Sequence, residues 1–444
     1  MTFWTAFVAG LAVCLVAGPA AAATYWVAPA GDDTGPGTKQ KPWATLQHAV
    51  DAVSPGDTAL VRAGTYAGCV MRRSGRADAP YTLKAEPGAT VLVDKPGPEN
   101  RRRSNLEVGA RGQTVGYWVV DGFEVANAPM WGINLGRTEH VTVRNCRVHD
   151  CHQTGIFTSF SDHPLIENNE SYRNHEHGIY HSNSGDYPIL RGNRCHHNDC
   201  CGIHMNGDIN MGGDGLISHA VVERNIIWEN GRPRGGSGIN CDGVSDSVIR
   251  NNLLYDNHAS GISIYAIDGA EGSSRNGIYN NTVVVAADGR WALNIPWWQR
   301  RSKPVGNRVA NNLLLSLNPQ TGAILIWGEE AVAECDHNVV TARFAVDAVI
   351  GSEVPMPAAG EDRSVEGGHG LLSFTQWRTQ GRDAHSRVGT PAALFVNPSK
   401  GDYHLRSGAT AKGAGTHLPE VTDDLDGRRR PAAGPADAGC YAAR

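Results

Sequence analysis

The stretch "NHEHGIYHSNSGDYP", residues 174–188, decides the fold because its parts recur along the chain. Its Gly-Ile pair returns at spacings of 23, 23, 24, 36 and 23 residues, at Gly132-Ile133, Gly155-Ile156, Gly178-Ile179, Gly202-Ile203, Gly238-Ile239 and Gly261-Ile262. Two degenerate copies follow, Ala292-Leu293 and Ala323-Ile324. A fixed period of this length indicates a repeat architecture.

Two polar columns keep step with these pairs, and each member follows a short apolar run. They are Asn145, Asn169, Asn193, Asn225, Asn252, Asn281 and Asn312, and five residues further on Asp150, Asn174, Asn198, Asn230 and Asn257. Asparagine tolerates left-handed backbone, and its amide can bond to the next copy. The apolar runs are β-branched, bounded by Gly and Asn, and show no helical period. We therefore predict an all-β fold, a right-handed parallel β-helix of about 23 residues per coil.

The ends of the chain differ from the repeat. Residues 1–23 are predicted to be a signal peptide, which implies a secreted or periplasmic protein with no membrane association after cleavage. Residues 24–350 are assigned to the β-helix, and "PWATLQHAVDAV" (42–53) to a helix that covers its first coil. Residues 351–444 are assigned to a loop and a C-terminal capping segment packed on the β-helix. Nine cysteines remain after cleavage, and we expect most to be buried and one or two disulfides.

The formal net charge is −5, whereas nucleic-acid binding requires a basic surface, so no nucleic-acid partner is expected. The protein is expected to be a monomer. Strand side chains alternate between faces, so the residues two and four positions after each repeat Gly should face solvent. We call this set the outward column: Asn134 and Gly136, Phe157 and Ser159, Tyr180 and Ser182, His204 and Asn206, Asn240 and Asp242, Ser263 and Tyr265, Asn294 and Pro296. An ordinary solvated face would carry more Lys, Glu and Thr, so this column is a candidate functional surface.

Three long segments follow strands of the same type and should project from the same side as walls of a cleft. They are "NGDINMGGDGLISH" (206–219), "AIDGAEGSSRNG" (266–277) and "PWWQRRSKPVGNR" (296–308). Trp297 and Trp298 could stack on sugar rings, and Arg300 could reach over the cleft. Asn294 is also predicted to bind substrate. His181 has inward parity beside the coil of His204, where it could orient groups that bind substrate. The side chains of His175, His177 and His181 should point in different directions, because strand residues alternate between faces and the first two lie in a turn. A three-histidine zinc site is therefore not expected.

The opening segment, residues 25–66, and the closing segments "DYHLRSGATAKGAG" (402–415) and "DLDGRRRPAAGPADAGCY" (424–441) resemble those of the secreted pectate-lyase-like β-helix superfamily. This resemblance covers nearly all of the mature chain and implies a carbohydrate-active enzyme with a polysaccharide substrate. Its better-known lyases use Lys or Arg as base, often with Ca²⁺. The outward column contains neither residue, so direct transfer of that mechanism is in doubt.

The favoured function is a polysaccharide lyase that cleaves a uronic-acid polymer by β-elimination. In that reaction His204 would be the base and Tyr265 or Tyr180 the acid, and Asn206 and Asn240 would bind the carboxyl group. Asp208 and Asp268 are candidate ligands for Ca²⁺.

The alternatives are a glycoside hydrolase, an epimerase and a non-catalytic carbohydrate-binding or surface β-helix. The hydrolase would pair Asp242 with Asp208 or Asp268. "NCDG" (240–243) is similar to the NTDG element of polygalacturonases, although their other elements are missing, and the "GHG" at His369 is out of register.

Overall fold

The computed structural model describes Met1 and residues 22–99, 103–297, 301–347 and 371–443. The predicted signal peptide falls almost wholly outside these residues, and so do Trp298, Arg300 and residues 351–370. No helix among the described residues is long and apolar enough to cross a membrane.

The chain winds through three sheets of twelve strands each, and one coil visits each sheet in turn. The first sheet contains Thr24–Val27, Thr58–Val61, Tyr81–Ala85, Trp118–Asp121, Thr142–Arg144, Leu165–Glu167, Ile189–Arg191, Val221–Glu223, Val248–Arg250, Gly277–Tyr279, Asn307–Ala310 and Val332–Asp336. The second contains Gly64–Ala67, Val91–Lys95, Glu124–Ala126, Arg147–His149, Glu170–Tyr172, Arg194–His196, Ile226–Trp228, Leu253–Tyr255, Thr282–Val285, Leu313–Ser316, Val339–Val340 and Arg387–Val388.

The third sheet carries the Gly-Ile repeat. It contains Cys69–Met71, Ser104–Val108, Trp131–Gly136, Ile156–Ser159, Ile179–Ser182, Ile203–Asn206, Ser237–Asp242, Ser260–Tyr265, Leu293–Ile295, Ile324–Trp327, Arg343–Asp347 and Leu371–Ser373. Its last strand pairs antiparallel with the strand before it. Short pairs join Val115–Gly116 to Thr138–Glu139, Ile217–Ser218 to Val244–Ser245 and Phe395–Asn397 to Asp402–Leu405.

Within the described parts of the chain, helices are few and short. The α-helices are Leu46–Ala52, Phe374–Arg378 and Pro391–Leu394, and the 3₁₀ turns are Ile209–Met211, Glu329–Ala331 and Pro398–Lys400. The first helix buries Leu46, Ala49 and Val50 against the first coils, which confirms the predicted amphipathic helix. The described C-terminal residues pack Leu394 and Phe395 against Leu313, beside the second sheet.

The repeat register is the one that the Gly-Ile pairs predict. Ile156 pairs with Ile179, Ile179 with Ile203, and Ile203 with Ile239 in adjacent parallel strands. All four side chains are fully buried, because each points into the coil and packs on its neighbour in the next one. The all-β parallel β-helix is thus confirmed.

The asparagine columns form two hydrogen-bonded ladders inside the coils. In the first, the Asn225 carboxamide oxygen accepts from the backbone N–H of Asn193, and the same bond recurs from Asn169 to Asn338. In the second, Asn174, Asn198, Asn230 and Asn257 repeat it. Each ladder gives buried backbone groups a partner that a hydrophobic side chain could not supply.

The first member predicted for each ladder was wrong by one residue. Asn145 and Asp150 occupy left-handed turn positions, with φ of 55° each, and their side chains face outward. Cys146 and Cys151 hold the ladder positions, and their backbone N–H groups donate to Asn169 and Asn174. The nine cysteines among the described residues are unpaired, which corrects the expectation of disulfides.

Candidate active site

The outward column lies on the third sheet in consecutive register. Tyr180 pairs with His204, His204 with Asn240 and Asn240 with Ser263, and Asn206, Asp242 and Tyr265 stand two residues further along their strands. Adjacent parallel strands are about 4.8 Å apart, so these side chains form one continuous surface. The structure thus brings together the six residues that the sequence predicted to be catalytic: Tyr180, His204, Asn206, Asn240, Asp242 and Tyr265.

His204 lies at the centre of an aromatic cluster. Its ring stacks on Tyr180 at 4.6 Å and meets the edge of His177 at 4.7 Å. Nδ1 of His204 lies 3.4 Å from Nε2 of His177, whereas Nε2 of His204 is buried and has no hydrogen-bond partner. Burial, reinforced by His177, lowers the pKa of His204 well below its usual value, so the ring is neutral at neutral pH.

Each tyrosine of the column is held by an asparagine. Asn240 donates to the Tyr265 hydroxyl at 2.6 Å, and Asn206 donates to the Tyr180 hydroxyl at 3.2 Å. Burial raises the pKa of both phenols, and Asp242 adds to the effect on Tyr265. Both hydroxyls therefore stay protonated at neutral pH and are suited to donate a proton.

Unpartnered polar atoms recur at one position of the column. Asn134 Oδ1, His204 Nε2 and Asn294 Oδ1 are buried without a hydrogen-bond partner, and all three residues stand two positions after the repeat Gly or its Ala equivalent. Buried polar atoms are usually satisfied, and these three exceptions lie on separate coils of the same sheet face, as expected of a surface that binds a polar ligand.

A cavity of about 740 Å³ continues this surface toward the N-terminus. Trp131 and Phe157 stack at 4.4 Å within it, and Phe157 in turn meets the ring of Tyr180. Four arginines also line the cavity: Arg72, Arg103, Arg111 and Arg137. Two glutamates, Glu99 and Glu107, lie among them, so the cavity, which we call the arginine pocket, carries a net positive charge.

The sequence missed the arginine pocket. Its arginines come from four turns and loops spread over three coils and share no repeat position, so no periodic signal connects them. Phe157 and Asn134 were predicted members of the outward column. Nothing in the sequence showed that this end of the column opens into a cavity lined by aromatic side chains.

The three predicted wall loops contact one another. Ile209 N–H donates to the Asp268 carbonyl at 3.0 Å, and Ala270 N–H donates to the Gly215 carbonyl at 2.9 Å. Gly272 N–H donates to Ser302 Oγ at 3.1 Å, which joins the second loop to the third. Trp297 lies in the third loop under the ammonium of Lys303, whereas Trp298 and Arg300 lie outside the described residues.

Asp242 holds a loop. Its carboxylate accepts from the backbone N–H groups of Ile267 (2.9 Å), Asp268 (3.2 Å) and Gly269 (3.0 Å), and the side chain is only 2% exposed. Burial raises its pKa to about 6 in spite of these bonds. The structure therefore assigns Asp242 to anchoring the second wall loop.

His181 does not face the cleft. Its ring is fully buried inside the coil, where Nδ1 lies 2.5 Å from Thr158 Oγ1 and Nε2 lies 2.8 Å from the Gly185 carbonyl oxygen. Contact with substrate is excluded by this position, which corrects its inclusion among the binding residues.

The acidic residues considered for calcium do not converge. Asp208 accepts from the Asn210 N–H and begins the 3₁₀ turn. Among the described residues, groups of three potential metal ligands within 4.8 Å of one another occur at two places, and neither contains Asp208 or Asp268. Because Ca²⁺ takes about six to eight oxygen ligands, two aspartates alone do not make a site, and Ca²⁺ binding stays a prediction.

The fold and this cleft define a right-handed parallel β-helix protein with a polar and aromatic surface along one sheet. The chain belongs to the family described as "Pel9A-like, right handed beta helix region", whose model matches residues 25–287.

Two relatives in sequence and two in structure extend this result. Pectate lyase PEL9 of Emericella nidulans is 28% identical over 312 residues, 59% of this chain and 74% of the relative. The uncharacterized protein YwoF of Bacillus subtilis is 35% identical over 69 residues, 15% of either chain. The crystal structure of pectate lyase Pel9A matches with a TM-score of 0.63 at 16% identity, over 96% of this chain and 97% of that one. A rhamnogalacturonan lyase matches with a TM-score of 0.57 at 19% identity, over 71% and 87%.

Proposed function

We propose that this protein is a polysaccharide lyase that cleaves a uronic-acid polymer by β-elimination in the cleft along the third sheet. The observation that carries the proposal is the set of three unpartnered polar atoms in the outward column, one of which, Asn134 Oδ1, lies in the positively charged arginine pocket. Membership of a family that includes pectate lyases supports the reaction class.

The substrate class follows from charge. The whole chain has a formal net charge of −5, so an excess of arginines in one pocket is a local feature. Guanidinium groups recognise carboxylates through paired hydrogen bonds, and the stacked Trp131 and Phe157 offer apolar area next to them. A polymer of carboxylate-bearing sugars would meet both needs.

β-Elimination needs a neutralised carboxylate, a base for the C5 proton and an acid for the leaving oxygen. We assign the base to His204, because a neutral imidazole has a lone pair that can accept a proton. The atom that would take the proton is Nε2 of His204, which has no hydrogen-bond partner, and the ring contacts with Tyr180 and His177 hold the imidazole in place, which makes His177 a positioning residue. Tyr265 or Tyr180 would be the acid, and Asn240 and Asn206 hold their hydroxyl groups in place.

The hydrolase alternative is less well supported by the geometry. Hydrolysis uses two carboxyl groups that reach the scissile bond. Both oxygens of Asp242 are occupied by backbone N–H groups of the second wall loop, so it is poorly placed to serve as one of them. An extracellular or periplasmic location accords with a polymeric substrate and is part of the proposal.

The test is incubation with a panel of uronic-acid polymers, followed by the ultraviolet absorbance of the unsaturated sugar that only elimination produces. We expect activity on at least one polymer and a decrease of about 10²–10⁴-fold in His204→Ala. His175→Ala is the matched control, because His175 is exposed in a neighbouring turn and pairs with Asp199. New reducing ends without unsaturated product would refute the proposal in favour of hydrolysis.

A further inference from the structure

A group of sulfur and nitrogen ligands lies beside the candidate active site. His177, Cys200 and Cys201 each offer one ligand atom, and these atoms lie within 4.8 Å of one another. His177 comes from the turn before one strand of the third sheet, and the two cysteines come from the same turn one coil later. Cys201 and His177 are buried, whereas Cys200 is partly exposed, so the group can be reached from the surface.

The separation of the two sulfurs matches a shared tetrahedral ion. The Sγ atoms of Cys200 and Cys201 are 3.8 Å apart. An ion about 2.3 Å from each sulfur, the usual Zn–S distance, would subtend an angle of about 110° between them. Tetrahedral zinc requires that angle, so the two sulfurs already have the separation that a shared ion needs.

The third ligand faces the pair. Nδ1 of His177 accepts a hydrogen bond of 3.3 Å from the backbone N–H of Cys201, so it faces the turn that carries both cysteines. The opposite nitrogen, Nε2, faces His204. An ion bound to Nδ1 would take the place of the hydrogen bond from Cys201.

The backbone around the sulfurs is built closely against them. A Cβ atom added to Gly236 would lie 2.7 Å from the sulfur of Cys201 and 2.9 Å from that of Cys200. The φ of Gly236 is +105°, a region that other residues rarely adopt.

We propose that His177, Cys200 and Cys201 bind a zinc-type divalent ion at the edge of the cleft, with its fourth position open to solvent or ligand. The two thiolates and one imidazole are a soft donor set that suits zinc and not calcium or magnesium. The candidate calcium ligands Asp208 and Asp268 are not part of this group, so the proposed zinc site is separate from them.

Occupancy would also affect His204, a consequence that rests on the lyase proposal. An ion on Nδ1 of His177 would place a positive charge one ring away from His204, which opposes the gain of a proton by the His204 imidazole. Zinc should therefore slow the lyase reaction.

Binding is tested first, without reference to activity. Protein stripped with a chelator under reducing conditions is titrated with Zn²⁺ against a chromogenic competitor, and with Co²⁺ as a spectroscopic probe. We expect one ion per chain and a thiolate-to-cobalt charge-transfer band. Cys200→Ser should weaken binding by more than about 100-fold, since even the loss of a supporting group costs 10–100-fold. His175→Ala, in the same turn as His177, should bind as the wild type does.

The result that overturns the site is a wild-type chain with no cobalt–thiolate band and no zinc binding above that of Cys200→Ser. A mass consistent with a bond between Cys200 and Cys201 that persists under mild reduction would also overturn it. The cobalt spectrum needs only the wild type, so the test holds even if the variant does not fold. If zinc binds but leaves lyase activity unchanged, the assignment of His204 is wrong; if no polymer is cleaved, the binding result still stands.

Discussion

Replacement of one ladder asparagine should destabilise the whole β-helix. Asn225 is fully buried, and its carboxamide makes four hydrogen bonds. It accepts from the backbone N–H (2.9 Å) and the side-chain amide (3.1 Å) of Asn193, and donates to the Leu190 carbonyl (2.9 Å) and Asn252 Oδ1 (2.9 Å). Asn225→Leu has a similar volume, removes all four bonds and leaves no room for a compensating water.

The expected decrease in the free energy of unfolding follows from these four hydrogen bonds. Four buried hydrogen bonds at about 1 kcal/mol each give a decrease of about 4 kcal/mol in the free energy of unfolding. Chemical denaturation followed by circular dichroism measures it as a shift of the midpoint. The control is Asn210→Ala, because Asn210 is exposed in a wall loop and bonds only to the nearby Asp208, so its loss should stay within about 0.5 kcal/mol. A loss below about 1 kcal/mol for Asn225→Leu would show that the ladder does not stabilise the fold.

Two further predictions concern pH and substrate affinity. Burial lowers the pKa of His181, so the unfolded state takes up the proton first as pH falls below about 6.5, and stability should fall by about 1.4 kcal/mol per pH unit until the folded pKa is reached. His181→Gln should reduce that slope in denaturation curves at pH 7.5 and 5.0, and an unchanged slope would contradict the burial of this ring. The double variant Arg111→Ala with Arg137→Ala should raise KM about tenfold with little change in kcat, if these exposed side chains bind carboxylates. Arg173→Ala, which removes an arginine paired with Asp150 outside the pocket, should leave KM unchanged.

The repeat could be predicted from the sequence because each Gly-Ile strand must place its isoleucine in the same column. That constraint fixes the pairing of Ile179 with Ile203, and with it the position of Tyr180 beside His204. The ladder positions of Cys146 and Cys151 were missed because a polar residue, Asn145 or Asp150, directly precedes each cysteine and was taken for the ladder residue. Parity also placed His181 inside the coil, although the binding set had included it.

The remainder of the site depends on turns, which follow no alternation. Whether His177 turns toward Cys200 or toward solvent is set by the turn geometry, so the sulfur–nitrogen group had no periodic signal. The arginine pocket draws on four separate turns, and the fate of Asp242 depended on how the second wall loop folds back over its strand. Strand residues were thus predictable in position, whereas their loop partners were not.

The product formed from uronic-acid polymers is the decisive measurement for the lyase proposal. We predict unsaturated oligosaccharides from the wild type and from His175→Ala, and their near-complete loss in His204→Ala with an unchanged circular dichroism spectrum. Equal formation of unsaturated product by His204→Ala and the wild type would contradict the assignment of the base. Absence of unsaturated product from every polymer tested, alongside release of reducing ends, would contradict the lyase itself.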